Sequence, residues 1–151
     1  MSEKIKSLIK TRKINIGLVG CGRISEKHLN AIRSYPDDLR LVAVCDIDSE
    51  VLNKVVLKSE VTKYTDYSAF IKHIGLDIIV IATPSGLHAS QTIEAASYGK
   101  HVVTEKPMAT SWKDGIRMVK ACDDANVKLF VVKQNRYNNT IQLLKRAINE
   151  K

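Results

Sequence analysis

The chain has 151 residues, about one domain, and its 44% apolar and 26% charged residues are typical of globular proteins. The formal net charge is +8, and no apolar run approaches the ~20 residues of a membrane span. The basic start of the chain has no apolar signal-peptide core. These features argue against a membrane protein. No aromatic residues alternate with the basic ones to stack on bases, so nucleic acid is not an expected partner.

The three cysteines, Cys21, Cys45 and Cys122, lack the spacing of metal ligands. An odd number of scattered thiols is typical of a reducing compartment, so a cytoplasmic protein is expected. We predict that these cysteines are small buried residues, and we predict no metal site.

Six strand-like runs alternate with helical patterns. They are Ile14–Val19, Leu39–Cys45, Val61–Tyr64, Asp77–Ile81, His101–Thr104 and Lys128–Val132. Several of these runs are almost entirely apolar, as in parallel sheets that are covered on both faces. We therefore predict an α/β fold: a Rossmann-type, doubly wound, mostly parallel six-stranded sheet with helices on both faces. Ligands of such sheets bind at the carboxyl ends of the strands.

Two helical segments carry apolar residues at helical spacing, which predicts one buried face on each helix. The first set is Ala89, Thr92, Ile93 and Ala96, and the second is Trp112, Ile116, Val119 and Cys122.

A glycine turn follows the first strand-like run. Gly20 allows a tight turn, and Gly22 lets the backbone approach a ligand with no Cβ in the way. A helix predicted from Arg23 would then direct its free N–H groups and its positive dipole end at a phosphate. Ile24 and Ser25 complete the turn, with Ser25 in place of a third glycine. We predict that these five residues hold the pyrophosphate of a dinucleotide.

Asp46 ends the second strand-like run, 24 residues beyond Gly22. This is close to the spacing of ~20 at which an acid binds the adenosine ribose of NAD, and its charge repels the 2′-phosphate of NADP. NAD is therefore the predicted cofactor. Asp48 could share this role, and the alternative is that Asp46 caps the following helix.

Two further strand-like runs lead into loops with polar residues. Thr83, Pro84 and Ser85 follow the fourth run, and we predict that they contact the cofactor, with Ser85 as a possible helix cap. His88 falls in the first helical turn and is also predicted to lie at the cofactor, and packing against the cofactor loop or a satisfied hydrogen bond is favoured over catalysis.

Glu105, Lys106 and Pro107 follow the fifth run, and Pro107 excludes a helical conformation at Lys106. An exposed Lys–Glu pair is the alternative to a functional role.

Together, the glycine turn, TPSGLH (83–88) and EKP (105–107) resemble the Gfo/Idh/MocA oxidoreductase family. The resemblance implies that Glu105 and Lys106 lie at the nicotinamide and that Lys106 is catalytic. In that role Lys106 orients the substrate and assists proton transfer. It also implies NAD-dependent oxidation of a sugar hydroxyl.

The segment 114–138, with TEKPMAT before it, resembles the WlbA/WbpB branch of the family, the UDP-N-acetylglucosaminuronate dehydrogenases. These oxidise C3 of the sugar in surface-polysaccharide biosynthesis, so a UDP-sugar acid is the implied substrate. Gln134 would then contact the cofactor, while Asn135, Arg136 and Lys106 contact the sugar. Capping of the sheet and of the next helix by Asn135 and Arg136 is the alternative.

We expect residues 1–12 to form a basic extension, 13–136 the NAD-binding domain and 137–151 the start of a connection. The family carries a second domain for substrate, catalytic histidine and oligomer contacts, so a fragment without turnover and a homo-oligomeric complete enzyme are expected. The alternatives are another sugar or inositol dehydrogenase of the family and a non-enzymatic dinucleotide-binding module.

Overall fold

A computed structural model describes residues 12–55 and 60–150. Its strands are β1 (Ile14–Val19), β2 (Leu39–Cys45), β3 (Thr62–Tyr64), β4 (Ile78–Ile81), β5 (His101–Thr104) and β6 (Leu129–Val131). Its helices are α1 (Ser25–Arg33), α2 (Ser49–Lys54), α3 (Tyr67–Phe70), α4 (His88–Ser97), α5 (Trp112–Asp124) and α6 (Asn139–Asn149). Short 3₁₀ turns cover Ser85–Leu87 and Gln134–Tyr137.

The strands form one sheet in the order β3-β2-β1-β4-β5-β6, and every neighbouring pair is parallel. The predicted Rossmann-type fold is confirmed, with a sheet that is entirely rather than mostly parallel. The predicted strand ends differ from the observed ones by no more than one residue. The chain reverses its strand order between β1 and β4, which opens a crevice at the carboxyl edge.

Alternation along the strands sends side chains to two cores. Leu18 and Val80 pack with Leu29 of α1 on one face, and Ile81 packs with Phe70 of α3 on the other. All five side chains are nearly or fully buried, and each contributes about 1.5–3 kcal/mol of hydrophobic stabilisation. Both faces of the sheet thus carry helices, and the packed cores fix the edge where the strands end.

The predicted buried face of α5 is wrong at three of its four residues: Trp112 is 85% exposed, and Ile116 and Val119 are also exposed. Cys122 is buried as predicted, together with Met118, which the prediction left out. Helix α5 packs on α4, and Cys122 lies in one buried cluster with Ala96 of α4. Periodicity predicted the helix but did not identify the face that α4 covers.

At the edge of the sheet where the strands begin, Arg12 and Asp77 form a bidentate salt bridge. Arg12 Nη1 and Nη2 donate to the two Asp77 carboxylate oxygens at 2.6 and 2.8 Å. The Asn15 backbone N–H also donates to Asp77, at 2.8 Å. The hydrogen bond from Arg12 is the largest cause of a lowered pKa at Asp77.

We expect Asp77→Asn to lower the free energy of unfolding by about 1 kcal/mol at neutral pH, since it removes a charge-assisted contact whose Arg12 side is half exposed. The folded-state pKa lies below the unfolded value of about 3.9, so this stabilisation is present above that value. It is lost as the pH falls through the lowered folded pKa. Urea unfolding from pH 7 to about pH 2 should therefore show the two proteins converging; a constant difference would contradict the assignment.

Candidate functional site

The loops that follow the strands meet at the carboxyl edge of the sheet. The Gly20 backbone N–H donates to the Cys45 carbonyl at 2.8 Å, which joins the glycine turn to the end of β2. The Glu105 N–H donates to the Ile81 carbonyl at 2.9 Å, which joins the end of β5 to the end of β4. The parallel ladder therefore brings together the loops that the sequence singled out.

The two glycines of the turn differ in the space that a side chain would find: Gly20 has none, and Gly22 has room. Gly20 has a φ of +87°, and a Cβ there would lie 2.6 Å from the carbonyl carbon and oxygen of Ala82. Gly22 is exposed, and apart from Gly22 and its two chain neighbours no described atom lies within 4 Å of the place where its Cβ would stand. Gly20 is thus required by packing within the protein, whereas the space at Gly22 opens outward.

Helix α1 begins at Ser25, two residues later than the predicted Arg23. The buried Ser25 hydroxyl donates to the Gly22 carbonyl at 2.6 Å, so a serine in place of the third glycine stabilises the turn. Arg23 and Ile24 precede the helix and are exposed. Among the residues that the structure describes, no side chain caps the start of α1. Its dipole end therefore faces the open space at Gly22.

Asp46 holds the glycine turn from the side of β2. Its Oδ2 accepts from the Cys21 backbone N–H at 2.7 Å, and its Oδ1 accepts from the Asp48 N–H at 3.0 Å. The alternative that Asp46 caps α2 is wrong, because Asp48 is the cap and its Oδ1 accepts from Glu50 and Val51. Asp48 is therefore engaged in helix capping, and the Asp46 carboxylate lies beside the turn.

Cys21 and Cys45 lie inside this part of the site. Both are buried, and burial raises the pKa of the Cys21 thiol to about 11 and that of Cys45 to about 12. Both thiols are therefore protonated at neutral pH, which fits the prediction of small packed residues rather than nucleophiles.

The loop after β4 is tied to the loop after β5 by His88, which is 1% exposed. Its Nδ1 lies 2.8 Å from the Pro107 carbonyl oxygen, and its Nε2 lies 2.8 Å from the Thr83 carbonyl oxygen. The alternative that His88 is a buried residue with satisfied hydrogen bonds is confirmed, and its contact with the cofactor stays a prediction.

Thr83 donates its hydroxyl to Gln91 Oε1 at 2.6 Å. The prediction that Ser85 caps a helix is wrong: its 3₁₀ turn starts after Pro84, and no side-chain cap bond is formed at this turn or at α4 within the described residues. The Thr83 to Ser85 loop nevertheless lies at the predicted edge.

Glu105 is buried and has two partners. Its Oε1 lies 2.9 Å from Nε2 of His28, and its Oε2 accepts from the Lys106 backbone N–H at 3.1 Å. Lys106 is exposed at the edge, and its peptide bond to Pro107 is cis. The alternative of an exposed Lys–Glu pair is wrong: within the described residues, Glu105 pairs with a histidine and Lys106 has no salt bridge.

Sequence reasoning missed His28. It lies on the first turns of α1, three residues after Ser25, and its partner is 77 residues further along the chain. Its place on the helix that follows the glycine turn was the one signal available.

Gln134, Asn135 and Arg136 lie in the 3₁₀ turn after β6 and are exposed. Asn135 Oδ1 accepts from the Asn138 side chain at 3.4 Å, and the Arg136 carbonyl accepts from the Gln142 side chain. These contacts attach the turn to the start of α6. The three residues follow β6, which pairs with β5, so they lie at the same edge of the sheet as Lys106.

The residues present fit a dinucleotide. The open space at Gly22 would accept a pyrophosphate against the start of α1, and Asp46 lies where the adenosine ribose would be bound. Among residues 12–55 and 60–150, no group of three His, Cys, Asp or Glu side chains could hold a metal ion. No helix in those ranges is long and apolar enough to cross a membrane.

Residues 14–133 match the family described as the Gfo/Idh/MocA oxidoreductases, NAD-binding Rossmann fold. The chain belongs to this family. It is 36% identical over 134 residues to D-apiose dehydrogenase of Paraburkholderia graminis, covering 88% of this chain and 36% of that protein. It is 29% identical over 136 residues to myo-inositol 2-dehydrogenase of Thermotoga maritima, covering 89% and 40%. The chain spans about two fifths of the length of these relatives.

Two solved structures are more similar. The WlbA dehydrogenase from Bordetella pertussis, in complex with NADH and UDP-GlcNAcA, is 52% identical, with a TM-score of 0.87 over 92% of this chain and 42% of that one. The WlbA dehydrogenase from Chromobacterium violaceum, with the same two ligands, is 49% identical, with a TM-score of 0.89 over 95% and 41%. The chain is therefore an NAD-binding Rossmann domain of this oxidoreductase family.

Proposed function

We propose that this chain is the cofactor-binding part of an NAD-dependent dehydrogenase that oxidises C3 of UDP-N-acetylglucosaminuronate. The observation that carries this proposal is the identity of 52% and 49% with two WlbA dehydrogenases. The identity with the myo-inositol 2-dehydrogenase of Lactobacillus plantarum is 26% at a similar coverage. The proposal includes residues 13–136 as the NAD-binding domain and a cytoplasmic location, which the unpaired Cys21, Cys45 and Cys122 support.

Different residues at the carboxyl edge would bind different parts of the cofactor and the substrate. Gly20, Gly22 and the start of α1 would hold the pyrophosphate, and Asp46 would hold the adenosine ribose. The loops after β4, β5 and β6 lie across the crevice from β2 and would therefore take the nicotinamide and the sugar.

Bound NAD would supply the acceptor for the hydride that leaves the sugar carbon. The exposed Lys106 ammonium would donate a hydrogen bond to the sugar oxygen, stabilise negative charge that develops there and assist proton removal. Arg136, also exposed, offers a bidentate donor to a carboxylate such as that of the uronate.

The test uses two chimeras in which residues 1–151 replace the matching segment of the Chromobacterium violaceum WlbA or of the Lactobacillus plantarum myo-inositol 2-dehydrogenase. NADH formation is measured for the first chimera with UDP-GlcNAcA and for the second with myo-inositol. The proposal is supported if the first chimera turns over UDP-GlcNAcA and the second has at least about tenfold less activity than its parent enzyme. The reverse pattern favours an inositol dehydrogenase.

We expect Asp46→Ala to weaken NAD binding by about tenfold and NADP binding by clearly less, since the carboxylate is expected to accept from the ribose hydroxyls and to repel a 2′-phosphate. The dissociation constants of this chain for both cofactors give the ratio. Asp48→Ala is the matched control: it removes the cap of α2, at a cost of about 1 kcal/mol in stability, and should leave the ratio unchanged. Equal weakening for both cofactors would show that Asp46 does not bind the ribose.

A further inference from the structure

The contact between His28 and Glu105 joins two functional segments that are far apart in sequence. His28 lies on α1, the helix that starts at the glycine turn, and Glu105 begins the loop after β5. Their side chains are 15% and 11% exposed, and Nε2 lies 2.9 Å from Oε1. Since a carboxylate accepts hydrogen bonds, Nε2 carries the proton of this contact.

The other carboxylate oxygen of Glu105 sets the backbone of Lys106. It accepts from the Lys106 N–H at 3.1 Å, while the Glu105 N–H is held by the Ile81 carbonyl at 2.9 Å. With one oxygen on His28 and the other on Lys106, the plane of the carboxylate is fixed. A buried carboxylate that loses one of its partners is costly, and it would rotate toward another donor or toward water.

We propose that His28 is a positioning residue that holds the Glu105–Lys106 segment in place for the nicotinamide half of the cofactor. The inference rests on the proposed placement of NAD along the carboxyl edge. Asp46 and β2 lie on one side of β1, and β4 and β5 lie on the other. His28 therefore acts on the half of the site away from the adenosine, although its helix starts at the pyrophosphate turn.

If His28 has this role, its loss should change the affinities for NADH and for ADP-ribose by different factors. ADP-ribose carries the adenosine, both phosphates and the second ribose, but it has no nicotinamide. A loosened Glu105–Lys106 segment should weaken binding of NADH and leave binding of ADP-ribose nearly unchanged. A general loss of structure would weaken both ligands together.

The experiment measures dissociation constants of the chain for NADH, by its fluorescence, and for ADP-ribose, by calorimetry. We expect His28→Leu to weaken NADH binding about five- to tenfold and ADP-ribose binding less than about twofold, since a buried charge-assisted bond is lost. His28→Gln, which keeps a donor amide at the end of its side chain, should restore most of the NADH affinity. Glu105→Gln provides a second variant that keeps the shape of the side chain and should show the same split.

His73→Leu is the matched control, because His73 is half-buried and hydrogen-bonds to the Tyr64 hydroxyl at 2.9 Å, outside the site. It should leave the ratio of the two constants unchanged. An equal loss of NADH and ADP-ribose in His28→Leu, or a Gln variant as defective as the Leu variant, would overturn the inference. A wild-type chain that binds neither ligand would overturn the proposed function as well, so the two failures are distinguishable.

Discussion

Gly22→Ala is expected to remove most of the NADH affinity of this chain while leaving it folded. Apart from residue 22 and its two chain neighbours, no described atom lies within 4 Å of the added Cβ, so the protein itself accommodates the methyl group. The same methyl group would occupy the space in which a pyrophosphate approaches the start of α1. A displaced phosphate loses charge-assisted hydrogen bonds worth about 2 kcal/mol, or about thirtyfold in the dissociation constant. NADH titration and thermal unfolding of the same samples provide the measurement.

Gly20→Ala is the matched comparison, two residues away, with the opposite expectation. Its φ of +87° and the Ala82 carbonyl group 2.6 Å from the added Cβ make this substitution strained within the protein. We expect a loss of about 3 kcal/mol in the free energy of unfolding. If Gly22→Ala kept full NADH affinity, or destabilised the chain as much as Gly20→Ala, the open space at Gly22 would have another purpose.

The features that could be predicted from the sequence are those set by neighbouring residues. The run Ile78–Ile81 is apolar along its length because both faces of its strand are covered, and the ends predicted for this strand lie within one residue of the observed ones. The glycine turn and Asp46 were predicted as a site from their spacing along the chain, which is the spacing that a bound phosphate and ribose require, and the structure places Asp46 beside the turn. In each case the physical cause acts over fewer than about thirty residues, and the pattern is visible in one segment.

The features that could not be predicted depend on partners from distant segments. The buried face of α5 is chosen by α4, so the exposure of Trp112 could not be derived from helical spacing within α5. Spacing along the chain assigned the ribose to Asp46 and left Asp48 as a residue that could share this role, yet in the structure Asp48 caps α2 and Asp46 accepts from the Cys21 backbone N–H. His28 was missed for the same reason, since its partner Glu105 lies 77 residues away in the sequence and only the strand order of the sheet brings the two close together.

Glu105 and Lys106 are neighbours in one short motif, but the first is buried and the second is exposed. The buried carboxylate accepts hydrogen bonds from His28 and from the Lys106 backbone, so it fixes a local conformation while it is largely shielded from solvent. The Lys106 ammonium remains exposed at the edge, close in the fold to the turn that carries Arg136. An exchange of the two side chains would bury the ammonium and expose the carboxylate, with a positive charge no longer available to a sugar oxygen.

Lys106→Met is therefore expected to lower turnover by about 10²- to 10⁴-fold, the usual range for loss of a group that assists proton transfer. The unbranched methionine keeps most of the length of the side chain and removes the charge. Turnover is measured by NADH formation in the WlbA chimera, and NADH affinity is measured in residues 1–151. Affinity should change less than about threefold, since the proposed partner of the ammonium is the substrate oxygen.

The matched control for Lys106→Met is Lys113→Met, at an exposed lysine on the first turn of α5, which should leave both quantities unchanged. The pH dependence separates a chemical role from a structural one. A lysine that takes part in proton transfer contributes an ionisation to the pH profile of turnover, and the methionine variant should lose that contribution while groups elsewhere in the chimera keep theirs. If Lys106→Met kept the turnover and the pH profile of the wild type, the ammonium would have no part in the reaction, and the proton would have to leave through another group.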